Sequence, residues 1–221
     1  MSSGSIISAI RVIKKKRAEL QNTSMKNIIE ASTNRKVISF NKEKYSDILK
    51  EIVSISKIIN KKYSRKPITR KIFEKYRGKP VNAFRNNEVG DFCEFLIVHT
   101  FKENKKKFKE IIEIKHLKKK GYPDLIIKTK KYKIYLEIKA TSRPYKGSPR
   151  DFYYSPGSAS DSKIDSDGLH LLLGFITKET KDGFLINGFK IADVSKIKVK
   201  LKPEFNTDNI GIYKKINLIY E

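Results

Sequence analysis

Residues 121–141, GYPDLIIKTKKYKIYLEIKAT, carry Asp124, Glu137 and Lys139 around a lysine-rich turn. The stretch from Asp124 to Lys139 alternates as a β-hairpin does, and a turn centred on Lys130 and Lys131 sets Asp124 directly opposite Glu137. Opposed side chains share a face with their Cβ atoms about 5 Å apart, and Lys139, two residues past Glu137, projects from that same face. Two carboxylates at that separation repel unless a cation bridges them. Hard oxygen donors with no His or Cys nearby favour Mg²⁺, with Mn²⁺ able to substitute, over zinc. A cation so held polarises a phosphoryl oxygen and lowers the pKa of a bound water. Lys139, beside two acids, is favoured in its charged form, which suits a stabiliser of attacking water and developing phosphorane charge better than a neutral general base.

The elements that must position this hairpin are legible on both sides of it. After a lysine-rich stretch, short apolar runs alternate with turn residues: 111–117, 124–128, 133–140, 169–177 and 183–191, read as the strands of one sheet, the last two joined through KETKD. Before them, NNEVGDFCEFLIVHTF reads as a helix from Asn86, apolar nearly all round from Phe92 to Val98 and therefore buried on several sides, with Glu94 the exception inside it. Earlier still, Ser5–Leu20 has helical spacing with a basic cluster at its end, residues 41–60 give a helix with a broad apolar face capped by Asn41, and Pro67 suits the first turn of a short helix that Gly78 stops. The fold expected is α/β: a mixed central sheet flanked by helices over residues 86–221, with a C-terminal tail, and an N-terminal helical extension over residues 1–85 packed on that core. Between 141 and 168 lies a long Gly-, Ser- and Pro-rich segment, and long insertions of this kind in compact domains are commonly functional loops.

Pro123-Asp124 followed by Glu137-Ile138-Lys139 resembles the PD-(D/E)xK signature of the restriction-endonuclease-like nucleases, including its place on a strand hairpin. The resemblance covers residues 86–191. It implies a restriction-endonuclease-like core and a Mg²⁺-dependent endonuclease acting on double-stranded DNA, similar to type II restriction enzymes and working as a homodimer. It implies catalytic roles for Asp124, Glu137 and Lys139, a metal held by Asp124, Glu137 and Ile138, and an accessory acid from the preceding helix, for which Glu94 is the best match and Glu88 the second. Arg143, Lys146 and Arg150, interleaved with Tyr145, Phe152, Tyr153 and Tyr154, would leave the sheet beside the duplex, where Arg and Lys read guanine edges or hold phosphates. A structure-selective nuclease such as a Holliday-junction resolvase, and a non-catalytic basic nucleic-acid-binding protein, are the alternatives.

The tripeptide alone carries little information. Glu103-Asn104-Lys105, Glu113-Ile114-Lys115, Glu179-Thr180-Lys181 and Asp161-Ser162-Lys163 fit the same pattern, yet only the copy at 137–139 follows a Pro-Asp at hairpin spacing inside an apolar strand. His170 reads as a strand histidine satisfied by a hydrogen bond, and His99 and His116 give no signal.

Composition agrees with a polyanionic partner. Forty-nine Lys plus Arg against 24 Asp plus Glu leave a formal charge of +25 in 221 residues, and such an imbalance opposes compaction unless a polyanion neutralises it. An AT-rich genome would raise Lys, but it usually raises Glu with it, and Glu is not raised here. A lone Cys93 excludes an internal disulfide, no paired Cys or His spacing suggests zinc, and nothing approaches a membrane span of about 20 apolar residues. A soluble, cytoplasmic protein is expected.

Overall fold

The computed structural model describes residues 3–19, 21, 23–117, 121–142, 154, 162–199 and 201. The chain divides into two compact units, one formed by Met1–Ser24 with Lys198–Glu221, the other by Met25–Ile197. In the first, helix α1 (Ser3–Glu19) leads to strand β1 (Thr23–Ser24), which pairs antiparallel with β8 (Lys198–Val199). No helix of the described residues is long and apolar enough to cross a membrane.

The second unit is built on a six-stranded mixed sheet. Its strands are β2 (Val37–Ile38), β3 (Ile111–His116), β4 (Leu125–Thr129), β5 (Lys133–Thr141), β6 (Gly168–Thr180) and β7 (Gly183–Asp193). The order is β2-β6-β5-β4-β3 with β7 also on β6; β5 and β2 run parallel to β6, and the other pairs are antiparallel. Helices α2 (Met25–Thr33), α3 (Ser46–Tyr63), α4 (Arg70–Arg77) and α5 (Asn86–Glu103) complete it. This is the mixed, helix-flanked sheet expected of a restriction-endonuclease-like core, and residues 25–85 lie in the same unit as the sheet.

Strand parity divides the sheet into two faces. Leu125, Ile127, Ile134, Leu136, Ile138, Leu169, Leu171, Leu173 and Phe175 join one buried cluster with Ile48, Ile52, Ile55 and Ile59 of α3 and Phe92, Cys93, Leu96 and Ile97 of α5. The alternate residues, Tyr135, Glu137 and Lys139 of β5 with His170 and Leu172 of β6, take the other face, because successive side chains on a strand point opposite ways. Apolar burial therefore fixes the register of β5, and a one-residue slip would carry Glu137 and Lys139 into the α5 side. Glu51 of α3 pins the start of β3: its carboxylate accepts from the backbone N–H of Lys109, Glu110 and Ile111 at 2.5, 2.9 and 2.9 Å.

Three local expectations shift. Asn41 caps a turn rather than the helix, its side chain accepting from Lys44 N at 2.8 Å while α3 begins at Ser46. Helix α4 begins at Arg70, with Thr69 as its cap accepting from Ile72 N, because the residue after Pro67 is committed elsewhere: Ile68 exchanges both backbone hydrogen bonds with Phe184. The β6–β7 turn is tighter than KETKD, with strands reaching Thr180 and resuming at Gly183. Gly183 sits at φ +141°, and a Cβ there would lie 2.2 Å from the carbonyl oxygen of Ile68, so only glycine fits beside that bridge. Helix α2 and strand β2 had no forecast at all. The two-residue strand β2 is held by acids that bond its backbone and its neighbours: Lys36 N to Asp167, Val37 N to Glu30 and Phe40 N to Asp193.

Candidate active site

The hairpin pairs Leu125 with Leu136, Ile126 with Tyr135, Ile127 with Ile134 and Lys128 with Lys133. That is the register read from the sequence, and it sets Asp124, one residue before the ladder, across from Glu137. Asp124 closes the open end by accepting a hydrogen bond from Ile138 N at 2.8 Å through Oδ2. The turn before it is held from a distance: Lys163 donates to the carbonyl oxygens of Gly121 and, at 2.7 Å, Pro123. On the next strand position of the same face, Lys139 Nζ lies 2.5 Å from Glu137 Oε1.

Glu137 is nearly sealed, its side chain 6% exposed, and its Oε2 is buried with no hydrogen-bond partner among the described residues. Burial, and next the charge of Asp124, push its carboxyl up to about 7, against the pull of Lys139. From α5, Glu94 enters the same field with its side chain 15% exposed. Burial and then Asp124, Asp91 and Glu137 push it up to about 8. His116, the last residue of β3, is within hydrogen-bond distance of it, Nε2 lying 2.6 Å from Glu94 Oε2. Asp91, one turn before Glu94, is also raised, first by burial, with Arg77 at 4.0 Å opposing. Glu88 does other work: it accepts from Arg85 N at 2.8 Å and caps the start of α5.

The raised acids make the metal-free site a source of instability whose pH sense is fixed. Glu94 binds its proton more tightly in the folded chain than in the unfolded one, so its contribution to stability is complete below about pH 4.5 and is lost as pH rises through about 8. Glu94→Gln, which keeps an acceptor for His116 and removes the charge, is therefore expected to raise the stability of the metal-free protein by more than about 1 kcal/mol at pH 8 and by little at pH 5. Thermal melts in chelator at the two pH values check this.

The other copies of the tripeptide are placed differently. Glu113 and Lys115 are exposed on β3, Glu103 pairs with His99 at 3.0 Å, and Glu179 lies at the hairpin end of β6. His170 is fully buried, its Nδ1 2.7 Å from the Tyr122 hydroxyl, and burial lowers its pKa to about 4; only one ring nitrogen is satisfied, since Nε2 has no hydrogen-bond partner among the described residues. Arg143, Lys146 and Arg150, with Tyr145, Phe152 and Tyr153, lie outside the described residues. Tyr154 is described, its hydroxyl 2.6 Å from Ser32 Oγ. In the sequence His116 gave no signal, Lys163 stood only as the end of another copy of the tripeptide, and Asp91 was not singled out. For Asp91 a signal existed, since three residues before Glu94 puts it on the same helix face; for the other two the partner is remote in sequence.

These residues fit a hard divalent cation. A buried carboxylate oxygen with no hydrogen-bond partner among the described residues and a second acid opposite it are oxygen donors of the kind such ions take, and the main-chain carbonyl of Ile138 between Glu137 and Lys139 would be a third. Among the described residues no three His, Cys, Asp or Glu side chains close on one point.

The sequence is similar to a known protein over much of its length. It is 38% identical over 149 residues to the type II restriction enzyme MjaV of Methanocaldococcus jannaschii, a stretch that covers 62% of this chain and 63%, less than two thirds, of that relative. The sequence model of the type II restriction enzyme MjaV family matches residues 18–216. That span takes in the hairpin, the helix that brings Glu94 and the long loop together, and on it the chain belongs to the type II restriction enzyme MjaV family.

Proposed function

We propose that this protein is a site-specific endonuclease that hydrolyses phosphodiester bonds of double-stranded DNA, dependent on Mg²⁺ and working as a homodimer so that two sites address both strands. The observation that carries the reading is the opposition of Asp124 and Glu137 at the end of one hairpin with Lys139 on the same face. Family membership supports the same reaction class.

Asp124, Glu137 and the Ile138 carbonyl would hold the cation, which when bound polarises the scissile phosphate and acidifies a water. Lys139, charged beside two acids, holds the attacking water and stabilises the charge that develops on the phosphorus oxygens. Glu94 orients that water from the α5 side. Burial of Glu137 and the ordered backbone around Asp124 keep the acids fixed while the substrate enters, which is the preorganisation that hydrolysis of a phosphodiester needs. Arg143, Lys146 and Arg150 would contact the duplex, whose phosphates match the net charge of +25.

Linear duplex DNA incubated with the purified protein is expected to be cut in Mg²⁺ or Mn²⁺ and left whole in chelator, with DNA bound in both. Intact DNA with every divalent ion tried would contradict the proposal.

A further inference from the structure

Each of the four acids at the site has its own partner. Asp91 has Arg77 at 4.0 Å, Glu137 has Lys139, and Asp124 has the N–H of Ile138. For Glu94 that partner is His116, brought in from a different strand with its Nε2 2.6 Å from Glu94 Oε2. The sheet itself fixes where His116 stands. It is the register partner of Leu125, next to Asp124, and the following residue, Leu117, donates its N–H to the carbonyl oxygen of Asp124 at 2.9 Å. The Glu94 carboxyl is thus tied to the strand end that also carries Asp124. A surface ion pair would be loose and exposed at both ends; here the Glu94 side chain is 15% exposed, between buried Cys93 and Leu96.

We propose that His116 is a positioning residue of the nuclease centre: its Nε2–H holds one oxygen of Glu94, so that the other is presented to the cation-bound water at Asp124 and Glu137. The inference rests on the hydrolytic reading of that centre. It assigns His116 the part that outer partners commonly play around metal sites, fixing the orientation of an acid that does not itself move.

The test compares His116→Ala and His116→Gln with the wild type, as the whole chain with duplex DNA. Three quantities are read: Mn²⁺ affinity of the protein–DNA complex by calorimetry, kcat and KM for cleavage, and DNA affinity in chelator. His116→Ala is expected to lower kcat and Mn²⁺ affinity each by about 10–100-fold, with KM for DNA and binding in chelator nearly unchanged. His116→Gln, whose amide nitrogen reaches toward the place of Nε2, is expected to recover most of both. Native kcat and Mn²⁺ affinity in His116→Ala would overturn the assignment, as would His116→Gln failing as completely as His116→Ala while both melt like the wild type. If His116→Ala does not fold, His116→Gln decides alone: near-native values support the hydrogen bond, and loss of both overturns it. A wild type that neither binds Mn²⁺ nor cleaves removes the hydrolytic reading itself, which is a different outcome from an active wild type indifferent to His116.

Discussion

Asp124→Ala, Glu137→Ala and Lys139→Ala are each expected to lower DNA cleavage by about 10³-fold or more while DNA binding persists. The magnitude follows from what they remove: a single preorganised group aimed at developing charge is commonly worth about 10²–10³-fold, and loss of either carboxylate also removes a cation ligand. The fold is expected to survive, because these changes delete charge from a repulsive cluster rather than volume from the core shared by β4, β5 and α5. Asp124→Ala and Glu137→Ala are further expected to tighten metal-free DNA binding, since an acid facing a phosphate repels it. Glu113→Ala, Lys115→Ala and Glu179→Ala, in exposed or peripheral copies of the same tripeptide, are the controls and are expected to cut normally. Glu94→Ala is expected to be impaired, whereas Glu88→Ala is expected to cost the cap of α5 and about 1 kcal/mol of stability. Rates on one duplex substrate, with melting curves for each variant, check the whole series. Controls that lose activity while Glu137→Ala cuts normally would move the active site to another strand.

Affinity for duplex DNA is expected to fall by about 10³–10⁵-fold between 50 and 200 mM salt, the behaviour of a protein that neutralises six to ten phosphates. The chain carries 49 basic residues, and many of its 24 acids are occupied within the protein. Glu51 accepts three backbone N–H groups, Glu30, Asp167 and Asp193 hold β2 and its surroundings, and Glu137 and Glu94 stand at the site. Acids committed to backbone donors and ion pairs do little to screen the basic surface toward a polyanion. Binding isotherms at a series of salt concentrations give the slope directly. A flat dependence would mean that the lysines reflect genome composition and not a nucleic-acid partner.

What the sequence disclosed and what it concealed divide by range. The register of β4 on β5 follows from one short turn and the alternation of Leu125, Ile127, Ile134 and Leu136, so the opposition of Asp124 and Glu137 is legible in the sequence alone. Helix α5 was equally plain, because its apolar residues cover most of its circumference. Other features depend on partners that no local pattern contains. Lys163 reaches back 40 residues to Pro123, and His116 meets Glu94 across the packing of a strand on a helix. A histidine at a strand end looks ordinary until the neighbouring helix is in place. Helix α2 buries only Met25, Ile29 and Thr33, too thin a stripe to stand out among polar neighbours. The two residues of β2 are ordered by Glu30, Asp167 and Asp193 rather than by any strand pattern of their own. Helix α4 was placed too early for a similar reason: the Ile68–Phe184 bridge outweighs the preference of Pro67 for a first turn.

The central claim, that this hairpin serves a site-specific endonuclease, is tested most directly by the products of one digestion. A phage genome of known sequence, incubated with excess protein and Mg²⁺ until no further change, is expected to give a fixed set of discrete fragments whose ends share a common short sequence. A smear that shortens continuously with time, or cleavage confined to branched junctions while linear duplex stays whole, would contradict it.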